Sequence, residues 1–144
     1  MQRVSKVVIA LALSTSPLIV GCPPQIRWQA DPYDRVHGPT RQTGQLTFVY
    51  FRAWYLIECT QFEDTVLRDP AVVEAVSAMA CCMLNFDWDR SLAEAWSLSR
   101  PPAYAITAPD GRVLVAGEGN ISKEALLADI RKAKSVFGQN SGRR

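Results

Sequence analysis

The chain has 144 residues, enough for one domain of ordinary size. Its 48% hydrophobic and 21% charged residues exclude a disordered or fibrous chain. A net charge of +2, with Lys and Arg scattered rather than striped, gives no electrostatic footprint for nucleic acid, and no internal repeat is visible.

Arg3 and Lys6 precede an apolar run of fourteen residues, Val7 to Val20. A membrane-spanning helix needs about 20 such residues. The run suits the core of an export signal instead. It ends Leu18-Ile19-Val20-Gly21-Cys22, which resembles the bacterial lipobox, whose cysteine is lipidated and becomes the new N-terminus. The resemblance implies a signal peptide over residues 1–21 and a lipid anchor on Cys22. The anchor would hold the mature chain to a membrane of the bacterial cell envelope, on its extracytoplasmic side. More than one acyl chain makes such anchoring stable. An ordinary secretory signal followed by an unrelated cysteine is the alternative.

Residues 22–45 carry Pro23, Pro24, Pro32, Gly38, Pro39 and Gly44 among polar residues without periodicity, and read as a flexible tether. The single histidine, His37, falls here and reads as a solvated linker side chain. Trp28 and Tyr33 are free to touch either the membrane interface or the domain.

A folded domain is expected over 46–138. Leu46 to Phe51 is a β-rich run too short for a helix, and a helix opens near Ile57, with Phe62, Val66 and Leu67 on its apolar side. Asp69-Pro70 is a cap plus first-turn proline for a helix through Val72, Val73, Val76 and Met79. Cys82 to Phe86 reads as a buried strand, and Ser91-Leu-Ala-Glu94 as a capping box for a short helix to about Leu98. Ala103 to Ala108 and Arg112 to Ala116 form a hairpin about Pro109-Asp110-Gly111. Ser122 caps the last helix, with Ile121 and Leu126 as a hydrophobic staple. Leu126, Ile130, Ala133 and Phe137 form its buried face, Gly138 ends it, and 139–144 is a frayed tail.

This order of elements, with a proline before the third strand, resembles the thioredoxin-like fold, an α/β three-layer sandwich about a mixed sheet of about four strands. Phe51, Ala53, Tyr55, Cys59 and Glu63 fit the family's strand, aromatic residue and Cys-x-x-Cys helix opening. Asp69-Pro70-Ala-Val-Val is similar to a segment of periplasmic thioredoxin-like proteins, and Pro102 stands where the family has its cis-proline. On this alignment Leu56 replaces the first cysteine and Tyr50 the buried acid. The family's first cysteine attacks as a thiolate stabilised at a helix N-terminus, and leucine cannot do so. Tyrosine, with a pKa of about 10, is no proton acceptor near neutral pH. Dithiol oxidoreductase activity is therefore disfavoured.

Cys59 is left as a structural thiol or a monothiol exchanger. Cys81 and Cys82 start a strand parallel to the first, while Cys59 lies beyond the first strand's end, so about five residues at about 3.3 Å keep them too far apart to bridge. They read as buried small hydrophobes. No Cys or His cluster has metal-ligand spacing, and no cofactor is expected. Asp87 and Asp89 read as a polar strand end rather than cation ligands. Trp54, Tyr55, Leu56, Pro102 and Tyr104 are aligned around the old active-site end, either as core filling or as a groove for an extended protein or peptide partner. The favoured expectation is a membrane-anchored binding or scaffold module. Its rivals are a monothiol oxidoreductase acting through Cys59, and an adaptor that uses its linker aromatics.

Overall fold

The six residues of β2 (Thr47–Arg52), Thr-Phe-Val-Tyr-Phe-Arg, are apolar on both alternating faces, and the strand accordingly lies at the centre of the sheet. It pairs in parallel with β3 (Ala80–Asn85), from Thr47 opposite Ala80 to Arg52 opposite Asn85. On its other side it pairs antiparallel with β4 (Ala103–Thr107), which pairs antiparallel with β5 (Val113–Glu118). A two-residue β1 (Trp28–Gln29) adds to the free edge of β3 in parallel, giving the order β1-β3-β2-β4-β5. These elements come from a computed structural model that describes residues 21–142. The signal segment expected over 1–21 lies outside the described residues except for Gly21. Among the described residues no helix is long and apolar enough to cross a membrane.

Alternation along the strands builds two cores. Phe48, Tyr50, Tyr104 and Ile106 face α2 (Ile57–Phe62), α3 (Pro70–Val76) and α5 (Lys123–Ser141), meeting Phe62, Val66, Val72, Leu126 and Ile130. Val49, Phe51, Cys82 and Leu84 face α1 (Tyr33–Thr43) and α4 (Arg90–Ala95). The result is a three-layer sandwich. Asp69 caps α3 by accepting the Ala71 N–H at 2.9 Å and pairs with Lys123 Nζ at 3.1 Å. Ser122 caps α5 through the Ala125 N–H at 3.1 Å. α2 continues into a single π-helical turn, Glu63–Leu67.

Four expectations need correction. Residues 22–45 are no simple tether, because they contain β1 and α1. The buried side of α1 is Val36, His37 and Thr40, one apolar residue among three, so no hydrophobic period marks it. His37 is buried rather than solvated. Its ring stacks on Tyr33 with centroids 5.0 Å apart, and its Nδ1 lies 3.1 Å from Thr40 Oγ1. The expected mixed sheet of about four strands is present, with the two-residue β1 added at its edge, too short to leave a pattern to read. α4 begins at Arg90 without a side-chain cap, leaving Ser91 inside the helix. Asn85 Oδ1 accepts the N–H groups of Asp87 and Trp88 at 2.9 and 3.2 Å, which closes the preceding turn early. Finally, α5 runs through Gly138 to Ser141, so the tail begins later than expected.

Candidate functional site

Three segments converge where β2 ends: the 53–56 loop entering α2, the 97–102 approach to β4, and the 119–121 connection into α5. Leu56 occupies the N-cap of α2 and is half-buried, making no side-chain cap bond. Cys59, one turn into the helix, has no exposed surface. Its Sγ accepts the Ala53 N–H at 3.4 Å. Behind it the Tyr50 hydroxyl donates to Glu63 Oε1 at 3.1 Å, with the Cys59 carbonyl at 3.5 Å. Burial, then the acidic neighbours Cys59 and Glu63, hold the Tyr50 phenol well above the ordinary tyrosine range. It is a neutral donor here and not a proton acceptor. Arg52 Nε lies 3.0 Å from the same Glu63 oxygen, an ion pair whose N–H does not point at it.

The Pro101–Pro102 peptide is cis and Pro102 is buried. Glu118 at the end of β5 holds this loop: its carboxylate accepts the Ser99 N–H at 2.6 Å, the Ser99 hydroxyl at 2.9 Å and the Arg100 N–H at 3.2 Å. Those donors, the Ser99 N–H first, keep its pKa below the ordinary glutamate value. Gly119 follows at φ +79°, donating its N–H to the Pro102 carbonyl at 2.8 Å. A Cβ there would lie 2.6 Å from Arg100 Nη2, the end of a flexible exposed side chain that can move aside, so the positive φ is what calls for glycine.

Between these segments and α2 lies a groove of about 790 Å³. Phe62, Val66, Pro102 and Ile121 form its buried apolar floor beside Leu56, and Glu58, Gln61, Arg100 and Asn120 its exposed polar rim. Prolines have no N–H, so positions 101 and 102 offer a bound chain no main-chain donor, and the Pro102 carbonyl is already engaged.

Of the groove residues expected from sequence, Leu56 and Pro102 line it. Tyr104 does not: it is 1% exposed, in the core, with its hydroxyl on Asp129 Oδ2 at 2.5 Å. The alternation of β4 points it inward. Trp54 and Tyr55 are exposed beside the groove rather than in it, with rings 5.6 Å apart, and Tyr55 donates to Asp87 at 2.9 Å. Trp88, which sequence reasoning did not single out, is 87% exposed on the neighbouring loop. Arg100 and Glu118 were also missed, with no local signal to mark them, and Ile121 was read only as part of the staple before α5. Asp87 is occupied by Tyr55 and Arg90. Among the described residues no group of three or more His, Cys, Asp or Glu could hold a metal ion. Burial pushes the Cys81 and Cys82 thiols up to about 12. All four cysteines are free, and Cys22 is exposed.

No protein-family model matches the chain, and no curated protein matches it significantly. Solved structures do. A thioredoxin from Thermus thermophilus aligns with a TM-score of 0.69 at 20% identity, over 81% of this chain and 93% of its own. An oxidoreductase named DsbH aligns at 0.66 and 11% identity, over 89% and 96%. The reduced C-terminal domain of Neisseria meningitidis DsbD aligns at 0.58 and 16% identity, over 68% and 90%. At these identities the likeness shows the fold, which is thioredoxin-like.

Proposed function

We propose that this thioredoxin-like chain is a lipid-anchored, extracytoplasmic module without dithiol exchange, which binds an extended protein segment in the groove between Leu56 and Pro102. The observation that carries this reading is the burial of Cys59 behind an N-cap leucine. A thiol without exposed surface cannot be reached by a partner disulfide, and the helix end that would stabilise a thiolate carries an aliphatic side chain. The groove, with its apolar floor and polar rim, supports the binding role. The lipobox-like Ile19-Val20-Gly21-Cys22 and the exposure of Cys22 support anchoring.

The rival reading, a monothiol exchanger, has one observation in its favour. The Ala53 N–H donates to Cys59 Sγ, which places the sulfur against the loop that enters α2 beside the groove. Alkylation of the native protein separates the two, with Cys59→Ser identifying the signal. A thiol reached only by opening that costs about 4 kcal/mol or more labels about a thousandfold slower than in the unfolded chain. The binding reading expects that protection. Labelling within about tenfold of the unfolded rate would move the monothiol reading ahead.

A further inference from the structure

The register of the sheet fixes where an anchor at Cys22 lies relative to the candidate site. β1 runs parallel to β3 with Trp28 opposite Cys81, which is itself opposite Phe48, the second residue of β2. The residues leading into β1 therefore approach the end of the sheet where β2 and β3 begin. There Pro24, Ile26 and Arg27 share a cleft of about 510 Å³ with Gln45, Ser77 and Met79, which immediately precede those strands. Pro23, Pro24 and Gln25 separate Cys22 from Ile26, the first residue packed against the core, so the free span is at most about 14 Å, short of the length of β2. At the other end, about 20 Å along β2, stand Trp54 at 75%, Tyr55 at 55%, Ile57 at 63% and Trp88 at 87% exposed. The Tyr55–Asp87 bond ties their two loops together.

An exposed Trp and Tyr cluster on an anchored protein is the composition of a membrane-interface belt. The topology argues otherwise. We infer that the domain stands on the bilayer by the end where β2 and β3 begin, so that the aromatic cluster and the Pro102 groove face away from the lipid, toward partners in the aqueous space. This rests on the anchoring reading above. Charge agrees: Arg27 and Arg41, exposed at that end, form no ion pair among the described residues and suit anionic headgroups. Glu74 is the one carboxylate lining the cleft, and Asp110 in the neighbouring β4–β5 turn is neutralised by Arg112 at 2.7 Å.

The test uses the full chain, processed in a bacterium and reconstituted in vesicles of phosphatidylethanolamine and phosphatidylglycerol carrying brominated acyl chains. The mass of the purified protein reports acylation of Cys22. Tryptophan emission is compared with that of Trp54→Ala/Trp88→Ala, whose fold circular dichroism should show unchanged because both side chains are exposed. The expected result is an acylated protein in which bromine quenches none of the emission lost in the double variant, while aqueous acrylamide quenches it fully. Bromine quenching of that component in an acylated protein would overturn the orientation while leaving the anchor intact. A mass without the acyl chains would overturn both.

Discussion

Glu118→Gln tests how the groove's proline loop is held. The native carboxylate accepts three donors, two of them the backbone N–H groups of Ser99 and Arg100. A hydrogen bond to a charged group contributes about 1.5–3 kcal/mol. The carboxylate is partly open to water, which screens it, and glutamine keeps one acceptor oxygen. The expected loss is therefore about 1–2 kcal/mol for the set, well below three full bonds. Hydrogen exchange reads it locally: the Ser99 and Arg100 amides should exchange about 5–30-fold faster in the variant, while core amides of β2 change less. The pH dependence has a definite sign. The folded-state pKa of Glu118 lies below its ordinary 4.5, so its contribution is present above pH 4.5 and is lost as pH falls through the lower folded value. Ser99 exchange, corrected for its intrinsic pH dependence, should rise in the wild type across that window and stay flat in the variant. Equal protection of Ser99 in both proteins at pH 7 would refute the clamp.

Other perturbations probe the core and the buried histidine. Gly117 lies under the Tyr104 ring, and a Cβ there would sit 2.8 Å from two ring carbons and from the hydroxyl oxygen. Tyr104 is pinned by Asp129 and by Phe48, with ring centroids 6.1 Å apart, and cannot swing away. Gly117→Ala should cost about 1–3 kcal/mol, read as a lower urea midpoint at unchanged slope, and Tyr104→Leu should relieve much of that cost in the double variant. His37 has its pKa lowered by burial first and then by Arg41, against the opposing pull of Asp34 and Asp110. Its neutral form is the native one. Stability is thus complete above about pH 6.5 and falls as pH drops through the lower folded value; urea titrations of His37→Gln should lack that slope. Cys81 and Cys82, held up to about 12 by burial, should resist alkylation at pH 8 until the chain unfolds, whatever Cys59 does.

What the sequence made legible follows from where its signals are local. β2, the Asp69 cap, the β4–β5 hairpin and the Ser122 cap of α5 each rest on a short run, a cap or a turn residue, and each forms where its signal lies. α1 was illegible because Pro39 and Gly38 sit inside it and its buried side is held by polar pairing: His37 with Thr40, and Tyr33 with Thr107 at 3.0 Å. The candidate site divides in the same way. Leu56 and Cys59 could be placed by their spacing within one helix opening. Glu118 could not, because its partners lie nineteen and eighteen residues earlier and meet it only across the β4–β5 pair. Tyr104 was misplaced because proximity to Pro102 in sequence says nothing about which face of β4 a side chain takes.

The placement of β1 and α1 bears on how the protein can be produced. A chain begun at residue 46 would keep every element that the thioredoxin resemblance names, yet strip the cover from Val49 and Cys82 and leave β3 as an outer strand. That strand, Ala-Cys-Cys-Met-Leu-Asn, is uncharged and free of proline, the kind of edge that recruits a second copy by strand addition. Truncation at 46 should therefore yield aggregates or strand-paired dimers, and their association would easily be mistaken for partner binding. A start at residue 23 keeps the edge guarded.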